Sequence, residues 1–234
     1  MIYVMSDIHG EYQKYLKMLE LIQFSAQDTL FVLGDVVDRG KEPVSVLKDM
    51  MQRSNVFPIM GNHDFLAYYL LSKLSTEITA ETVENISLSL EDIQGILEWI
   101  DDGGDTTVAQ FQKISPEERE EILNYISEFS FYEAVDVGEK TFILVHAGLG
   151  NFRKDKKLSE YSPEELLLTR EDPDKRFFDD ENIYIVTGHT PTPLIHGKAE
   201  IYHSANNIYI DCGACFGSGR LACLCLDTMQ EFYI

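Results

Sequence analysis

The sequence is poor in positive charge: 19 Lys and Arg stand against 40 Asp and Glu, a formal charge of −21. No run of Lys and Arg could track a phosphate backbone, which argues against nucleic-acid polymers as partners. No apolar run reaches the roughly 18 residues a membrane-spanning helix needs. The opening MIYVMSDIHG enters a strand-like segment directly, without a basic leader or cleavage signal. A soluble, cytoplasmic chain with no membrane partner is therefore expected. Linkers, low-complexity stretches and internal repeats are also missing, so a single domain over residues 1–234 is expected. Its 44% apolar content is enough to build one sizeable core.

Cysteine is scarce and confined to Cys212, Cys215, Cys223 and Cys225. CxxC followed by CxC could suggest structural zinc. In RLACLCLD, however, a period of two places Cys223 and Cys225 on one face of a strand among apolar neighbours, where free cysteine behaves as a small hydrophobe. The core reading is preferred, and disulfides are not expected in a reducing compartment.

What is present is a recurring pattern. IYVM leads to SDIHG, LFVL to GDVVDRG, VFPIM to GNHD, TFILV to HAG, and IYIV to TGHT. Short continuous apolar runs predict strands buried on both faces, and every one ends in a polar cluster. EYQKYLKMLELI and EPVSVLKDMMQ carry apolar residues at helical spacing, so the chain opens as βαβαβ. EAVDV and TFILV, separated by Gly138 and Glu139, predict a hairpin. IYH, NNIYID, RLACLCLD and EFYI predict antiparallel strands at the C-terminus. Between them a helical cap is expected over about 65–131. SLEDIQGILEWI is closed there by Gly103 and Gly104, and SPEEREEILNYISEF starts on Ser115 and Pro116. YSPEELLLTRE repeats the Ser-Pro-Glu-Glu start and ends at Arg170.

Loops at the carboxyl ends of strands in an α/β sheet converge even when far apart in sequence. Asp7, His9, Asp35, Asn62, His146 and His189 all occupy such ends. Carboxylate, amide and imidazole together suit Mn, Fe or Zn better than Ca, with Mn²⁺ the first choice. Six ligands are too many for one tetrahedral ion and enough for two that share a carboxylate, an arrangement used to hydrolyse phosphate esters. Turn chemistry alone would account for the Asp and Asn residues. It does not account for four of the six histidines standing inside the same blocks.

SDIHG, GDVVDRG, GNHD, HAG and GHT, in this order, resemble the signature blocks of the phosphoprotein phosphatase family of metallophosphoesterases, and IDCGACFG resembles its bacterial and phage branch. The resemblance implies an α/β fold, a sandwich of two mixed sheets flanked by helices, and a dimetal centre. Asp7 and His9 would hold the first ion, Asp35 would bridge, and Asn62, His146 and His189 would hold the second. Arg39 and Arg170 would clamp phosphoryl oxygens. His63 would be the general acid, oriented by Asp38, and a metal-bound hydroxide would attack directly. Ser6, Asp64 and Ala147 depart from the usual pattern without touching a catalytic position. His196 and His203 lie outside the blocks and read as structural or solvent-facing, and Trp99 reads as core.

The implied activity is hydrolysis of phosphoserine or phosphothreonine in proteins, with phosphotyrosine as an extension. Hydrolysis of dinucleoside polyphosphates such as diadenosine tetraphosphate is the alternative, and a non-catalytic binding subunit a third. RKDKK, at 153–157, is the one locally basic segment, and it is expected to draw in acidic phosphopeptides.

Overall fold

The computed structural model describes residues 1–74 and 89–234. Two five-stranded sheets face each other. The first has the order β10-β9-β1-β2-β3, with β1 (Ile2–Met5), β2 (Thr29–Leu33), β3 (Val56–Ile59), β9 (Ala222–Cys225) and β10 (Gln230–Tyr233). The second has the order β4-β5-β6-β8-β7, with β4 (Tyr132–Val137), β5 (Lys140–Val145), β6 (Ile183–Thr187), β7 (Tyr202–Ser204) and β8 (Asn207–Tyr209). The expected α/β sandwich of two mixed sheets flanked by helices is the fold observed.

Packing explains the continuous apolar runs. Val4, Leu33 and Ile59 of the first sheet meet Phe142, Leu144, Val186 and Ile208 of the second in one buried cluster. The alternate residues of the first sheet, Tyr3, Met5, Leu30 and Val32, face the helices instead. A third cluster, with Ile143, Val145 and Ile185, covers the far face of the second sheet. With both faces covered, inner strands such as β1 and β9 have no position free to be polar until the strand ends. Each fully buried Val or Leu contributes roughly 1.5–3 kcal/mol, which fixes the register and hence the place where each loop begins.

Helices α1 (Tyr12–Leu21) and α2 (Pro43–Met51) are the crossovers that keep β1, β2 and β3 parallel. Cys223 and Cys225 point together into the helix-side core while Leu224 points between the sheets, as the period of two predicts. All four cysteines are free. The C-terminal strands are not all antiparallel, however. β8 runs parallel to β6, and the four strands divide between the sheets. β8 is buried along its whole length and so takes an interior place, a choice its apolar pattern does not specify.

The insertion begins with α3 (Asn62–Leu74), and the part of the expected cap at 75–88 lies outside the described residues. α4 (Leu90–Trp99) starts on Ser89, whose hydroxyl accepts from the Asp92 N–H. α6 (Pro116–Ser127) starts on Ser115 in the same way, accepting from Glu118. The expected stop at Gly103 and Gly104 is a kink rather than an end. Gly103 takes φ of +100° within a wide turn over Ile100–Gly104, and the chain re-enters a helix, α5 (Asp105–Phe111). Remaining short helices are α7 (Pro163–Leu167), capped by Ser162, and α8 (Thr192–His196). No helix of the described residues is long and apolar enough to cross a membrane.

Candidate active site

Every loop predicted to carry chemistry leaves a strand at the same end of the two sheets. Backbone bonds stitch the first two loops together: Asp7 N–H to Gly34 O at 3.0 Å, His9 N–H to Asp35 O at 2.8 Å, and Gly10 N–H to Val36 O at 2.9 Å. Gly188 N–H bonds His146 O at 2.8 Å in the second sheet. Among the described residues ten non-glycine residues have positive φ, and six of them are candidates: Asp7, His9, Asp35, Asp38, Arg39 and His189. Left-handed backbone costs energy in a residue with a Cβ, and its concentration here marks a site whose geometry the fold imposes.

Asp35 is the hub. His9 Nε2 lies 3.6 Å from one of its carboxylate oxygens and His146 Nε2 lies 3.5 Å from the other. His9 Nδ1 donates to Val37 O at 2.9 Å, and His146 Nδ1 donates to Leu33 O at 2.7 Å. Those bonds fix both tautomers and leave each Nε2 with a lone pair turned to the site. His146 Nε2 also faces Asn62 Oδ1 at 2.9 Å. Lone pair thus meets lone pair, with no proton between His146, Asn62 and Asp35, an arrangement a divalent cation satisfies. One potential donor atom from each of Asp35, His146 and His189 lies within 4.8 Å of the others, and the same holds for His9, Asp35 and His63. Asp7 stands outside both groups, its carboxylate accepting from His189 N–H at 3.1 and 3.2 Å. The residues present therefore fit divalent metal ions, held by mixed nitrogen and oxygen donors.

Electrostatics agrees. Burial pushes His9 and His189 down to about 3, so both imidazoles are neutral at pH 7, the form a metal ion requires. Burial raises Asp7 well above its usual range, helped by the carboxylates of Asp211 and Asp35. Burial opposes ionisation of Asp35 too, but His146, His63 and His9 around it hold its carboxyl well below the ordinary value. Three carboxylates, Asp7, Asp35 and Asp211, are thus buried in one cavity, with two arginines at its wall.

His63 differs from the other imidazoles. Its Nδ1 bonds Asp38 Oδ2 at 2.7 Å, while its Nε2 faces Arg39 Nη2 at 3.0 Å. Burial opposes its charged form, but the Asp38 bond and the charges of Asp35 and Asp38 prevail and raise its pKa. Proximity alone would admit His63 as a ligand with His9 and Asp35. Its bond to Asp38 and raised pKa suit a proton donor better. Arg39 is shared: Nη1 bonds His9 Nε2 at 2.9 Å and Nη2 bonds Asp102 Oδ1 at 3.0 Å. Arg170 lines the same cavity, anchored to Thr190 Oγ1 at 3.2 Å.

Several contributors escaped the sequence reading. Trp99 is core, as expected, but its indole also bonds Asp38. Thr107 donates to Asp38 Oδ1 at 2.6 Å and accepts from Asp38 N–H at 2.9 Å. Asp64 accepts from the N–H groups of Val36, Val37 and Gly61, pinning two site loops together. Burial raises it to about 7. Asp211 lines the cavity, also pushed up to about 7 by burial. It ends NNIYID as the other candidates end their strands, a signal that could have found it. His203 pairs with Glu231 and His196 caps its own helix backbone, both away from the cavity. The basic segment at 153–157 is largely neutralised: Lys154 pairs with Asp179 at 2.5 Å, Lys156 with Glu165 at 2.7 Å and Arg153 with Asp155 at 3.7 Å. Little net charge remains there to steer an acidic peptide.

A cluster of this kind is suited to cleaving phosphate esters with divalent cations, which places the chain among the metal-dependent phosphoesterases. Its residues 1–219 match the family described as Calcineurin-like phosphoesterase, and the chain belongs to that family. Among curated proteins it is 34% identical over 99 residues to a symmetrical bis(5'-nucleosyl)-tetraphosphatase of Coxiella burnetii, covering 42% of this chain and 34% of that protein. It is 30% identical over 100 residues to the enzyme of the same name from Wigglesworthia glossinidia brevipalpis, covering 42% and 36%. These matches thus span only about a third of the length of either relative. A crystal structure provisionally described as a diadenosine tetraphosphatase superposes with a TM-score of 0.65 at 17% identity, covering 100% of this chain and 92% of that one. A protein serine/threonine phosphatase from Saccharomyces cerevisiae gives 0.58 at 14% identity, covering 100% and 78%. These last two are likenesses of fold.

Proposed function

We propose that the chain hydrolyses phosphate esters or anhydrides, with His63 delivering a proton to the leaving oxygen, and that its substrate is a symmetrical dinucleoside tetraphosphate. The observation that carries the reaction is the Asp38–His63 pair, 2.7 Å apart and set beside the Asp35-centred donors. The names of the curated relatives support the substrate. Asp7, His9 and Asp35 would hold one ion; Asp35, Asn62, His146 and His189 would hold a second, with Mn²⁺ first among candidates. Two such ions supply Lewis acidity toward water and phosphoryl oxygens. The chain does the rest. Arg39 and Arg170 bind and orient the phosphoryl oxygens through paired N–H donors. Asp38 holds Nδ1–H of His63. Nε2, which here accepts from Arg39 Nη2 at 3.0 Å, would carry the second proton once Arg39 turns to the phosphoryl oxygens, and a departing oxygen would take it from there.

A second reading, hydrolysis of phosphoserine or phosphothreonine in proteins, is favoured by one observation. Asp102 Oδ2 lies 3.4 Å from His63 Nε2, placing negative charge where a leaving group departs. A serine alkoxide, once protonated, is neutral; a nucleoside diphosphate is not. Turnover of diadenosine tetraphosphate and of a phosphoserine peptide by the Mn²⁺-loaded protein separates the readings. Faster turnover of the tetraphosphate supports the first and faster peptide turnover the second, while loss of neither activity on chelation would defeat both.

A further inference from the structure

His63 borders two cavities. One, of about 250 Å³, contains Asp7, Asp35, Arg170 and His189. The other, of about 200 Å³, runs between α3 and α4 and is lined by Leu66, Gly95, Glu98 and Trp99. Asn62, His63 and Asp102 line both. An oxygen that takes the proton from His63 Nε2 must sit at that boundary, and whatever it is attached to has the second cavity in front of it. This groove is open: a Cβ built on Gly95 would meet nothing within 4 Å. Glu98 and Asp102 are its charged residues, and among the described residues lining it there is no Lys or Arg.

Resting on the phosphoesterase reading above, we propose that the groove between α3 and α4 is the leaving-group subsite, and that Asp102 and Glu98 select leaving groups by charge, accepting neutral or cationic ones and disfavouring anionic ones. Asp102 is well placed for this. One carboxylate oxygen holds Arg39 Nη2 at 3.0 Å while the other lies 3.4 Å from the proton-delivering nitrogen. A negative charge on a leaving group held in the groove would face Asp102 and Glu98; a separation of roughly 5 Å sets the scale. At that distance like charges change a rate by about fourfold in water-like surroundings and by a few hundredfold at an effective dielectric constant near 20. A cationic substituent gains by the same interaction. The selection acts on the part of the substrate that departs: it disfavours a nucleoside diphosphate and accepts a neutral serine or threonine, so it weighs toward the second of the two readings above.

Three aryl phosphates test it, carrying a para aminomethyl, methyl or carboxyl group, each assayed as kcat/KM with the Mn²⁺-loaded full chain at low salt. The wild type should prefer them in that order, with about tenfold or more between first and last. In the Asp102→Asn, Glu98→Gln double variant the three values should converge, and in the wild type they should converge at high salt. Gly95→Leu, which fills the open groove, should slow all three esters without weakening inhibition by inorganic phosphate. An active wild type that treats the three alike would overturn the charge selection, as would a double variant that keeps the original ranking. A Gly95→Leu protein as fast as wild type would remove the groove as the exit. A wild type inert toward all three esters would instead sink the phosphoesterase reading, and the inference with it.

Discussion

Trp99 donates its indole N–H to Asp38 Oδ2 at 2.7 Å, joining residues 61 positions apart. Asp38 is fully buried, and the same oxygen holds His63 Nδ1. The helical insertion is thereby joined to the His63 site: α4 fixes the carboxylate that holds His63, the proton donor proposed above. A hydrogen bond to a buried carboxylate contributes roughly 1.5–3 kcal/mol, enough to hold one rotamer against the alternatives.

Trp99→Phe keeps most of the ring volume and removes the donor. Hydrolysis of phenyl phosphate, whose leaving oxygen needs a proton, should slow by about tenfold or more. Hydrolysis of 2,4-dinitrophenyl phosphate, whose leaving group departs as a stable anion, should change by less than about twofold. Steady-state kinetics on the two esters reads the difference directly. An equal loss on both would mean that Trp99 serves packing alone.

Thr107 acts on the other Asp38 oxygen, donating at 2.6 Å while accepting the Asp38 N–H. Thr107→Val is nearly isosteric and leaves both groups without their partner in a dry environment. Urea unfolding should show a loss of about 1–3 kcal/mol, and Thr107→Ser should recover most of it. A valine variant as stable as wild type would show that water replaces the hydroxyl.

Gly188 lies directly against Asp7, and a Cβ there would fall well inside contact distance of the Asp7 carboxylate. The second-sheet loop can therefore reach Asp7 only as bare backbone, which is how His189 N–H comes to bond it. Gly188→Ala should displace Asp7 and weaken Mn²⁺ binding by about tenfold or more, in the range seen when a ligand's supporting contacts are removed. Titration calorimetry measures it, and an unchanged affinity would detach Asp7 from the metal centre.

How much of this the sequence revealed follows from packing. Strands covered on both faces are apolar along their length, so Asp7, Asp35, Asn62, His146 and His189 stand out in the polar clusters that follow the runs. Asp211 obeyed the same rule and was passed over only because its strand sits in the stretch read as an antiparallel C-terminal set. Trp99, Asp102 and Thr107 could not be found that way. They lie on α4, on α5 and in the turn between them, where spacing reports at most which face is buried and says nothing about a partner some 61 to 69 residues away. The neutralisation of Lys154 and Lys156 was hidden for the same reason, since Asp179 and Glu165 reach them from separate segments. Gly103 read as a stop because glycine commonly ends helices, and the re-entry into α5 depends on its contact with Arg39, whose N–H bonds Gly103 O at 2.9 Å.

Metal removal tests the centre independently of catalysis. His146 Nε2, Asn62 Oδ1 and Asp35 turn acceptors toward one another at 2.9–3.5 Å, and their mutual repulsion is relieved when a cation lies among them. A ligand at a hundred times its Kd adds about 2.7 kcal/mol to folding stability. For a chain of this length that corresponds to a Tm higher by roughly 5–10 °C. Calorimetric scans should therefore show the Mn²⁺-loaded protein melting higher by that amount than the chelated one. Asn62→Ala removes one of the opposed acceptors, so the chelated variant should melt no lower than chelated wild type while gaining much less from Mn²⁺. Equal melting of wild type with and without Mn²⁺ would mean that these acceptors hold no ion. An equal gain in both proteins would place the ion away from Asn62.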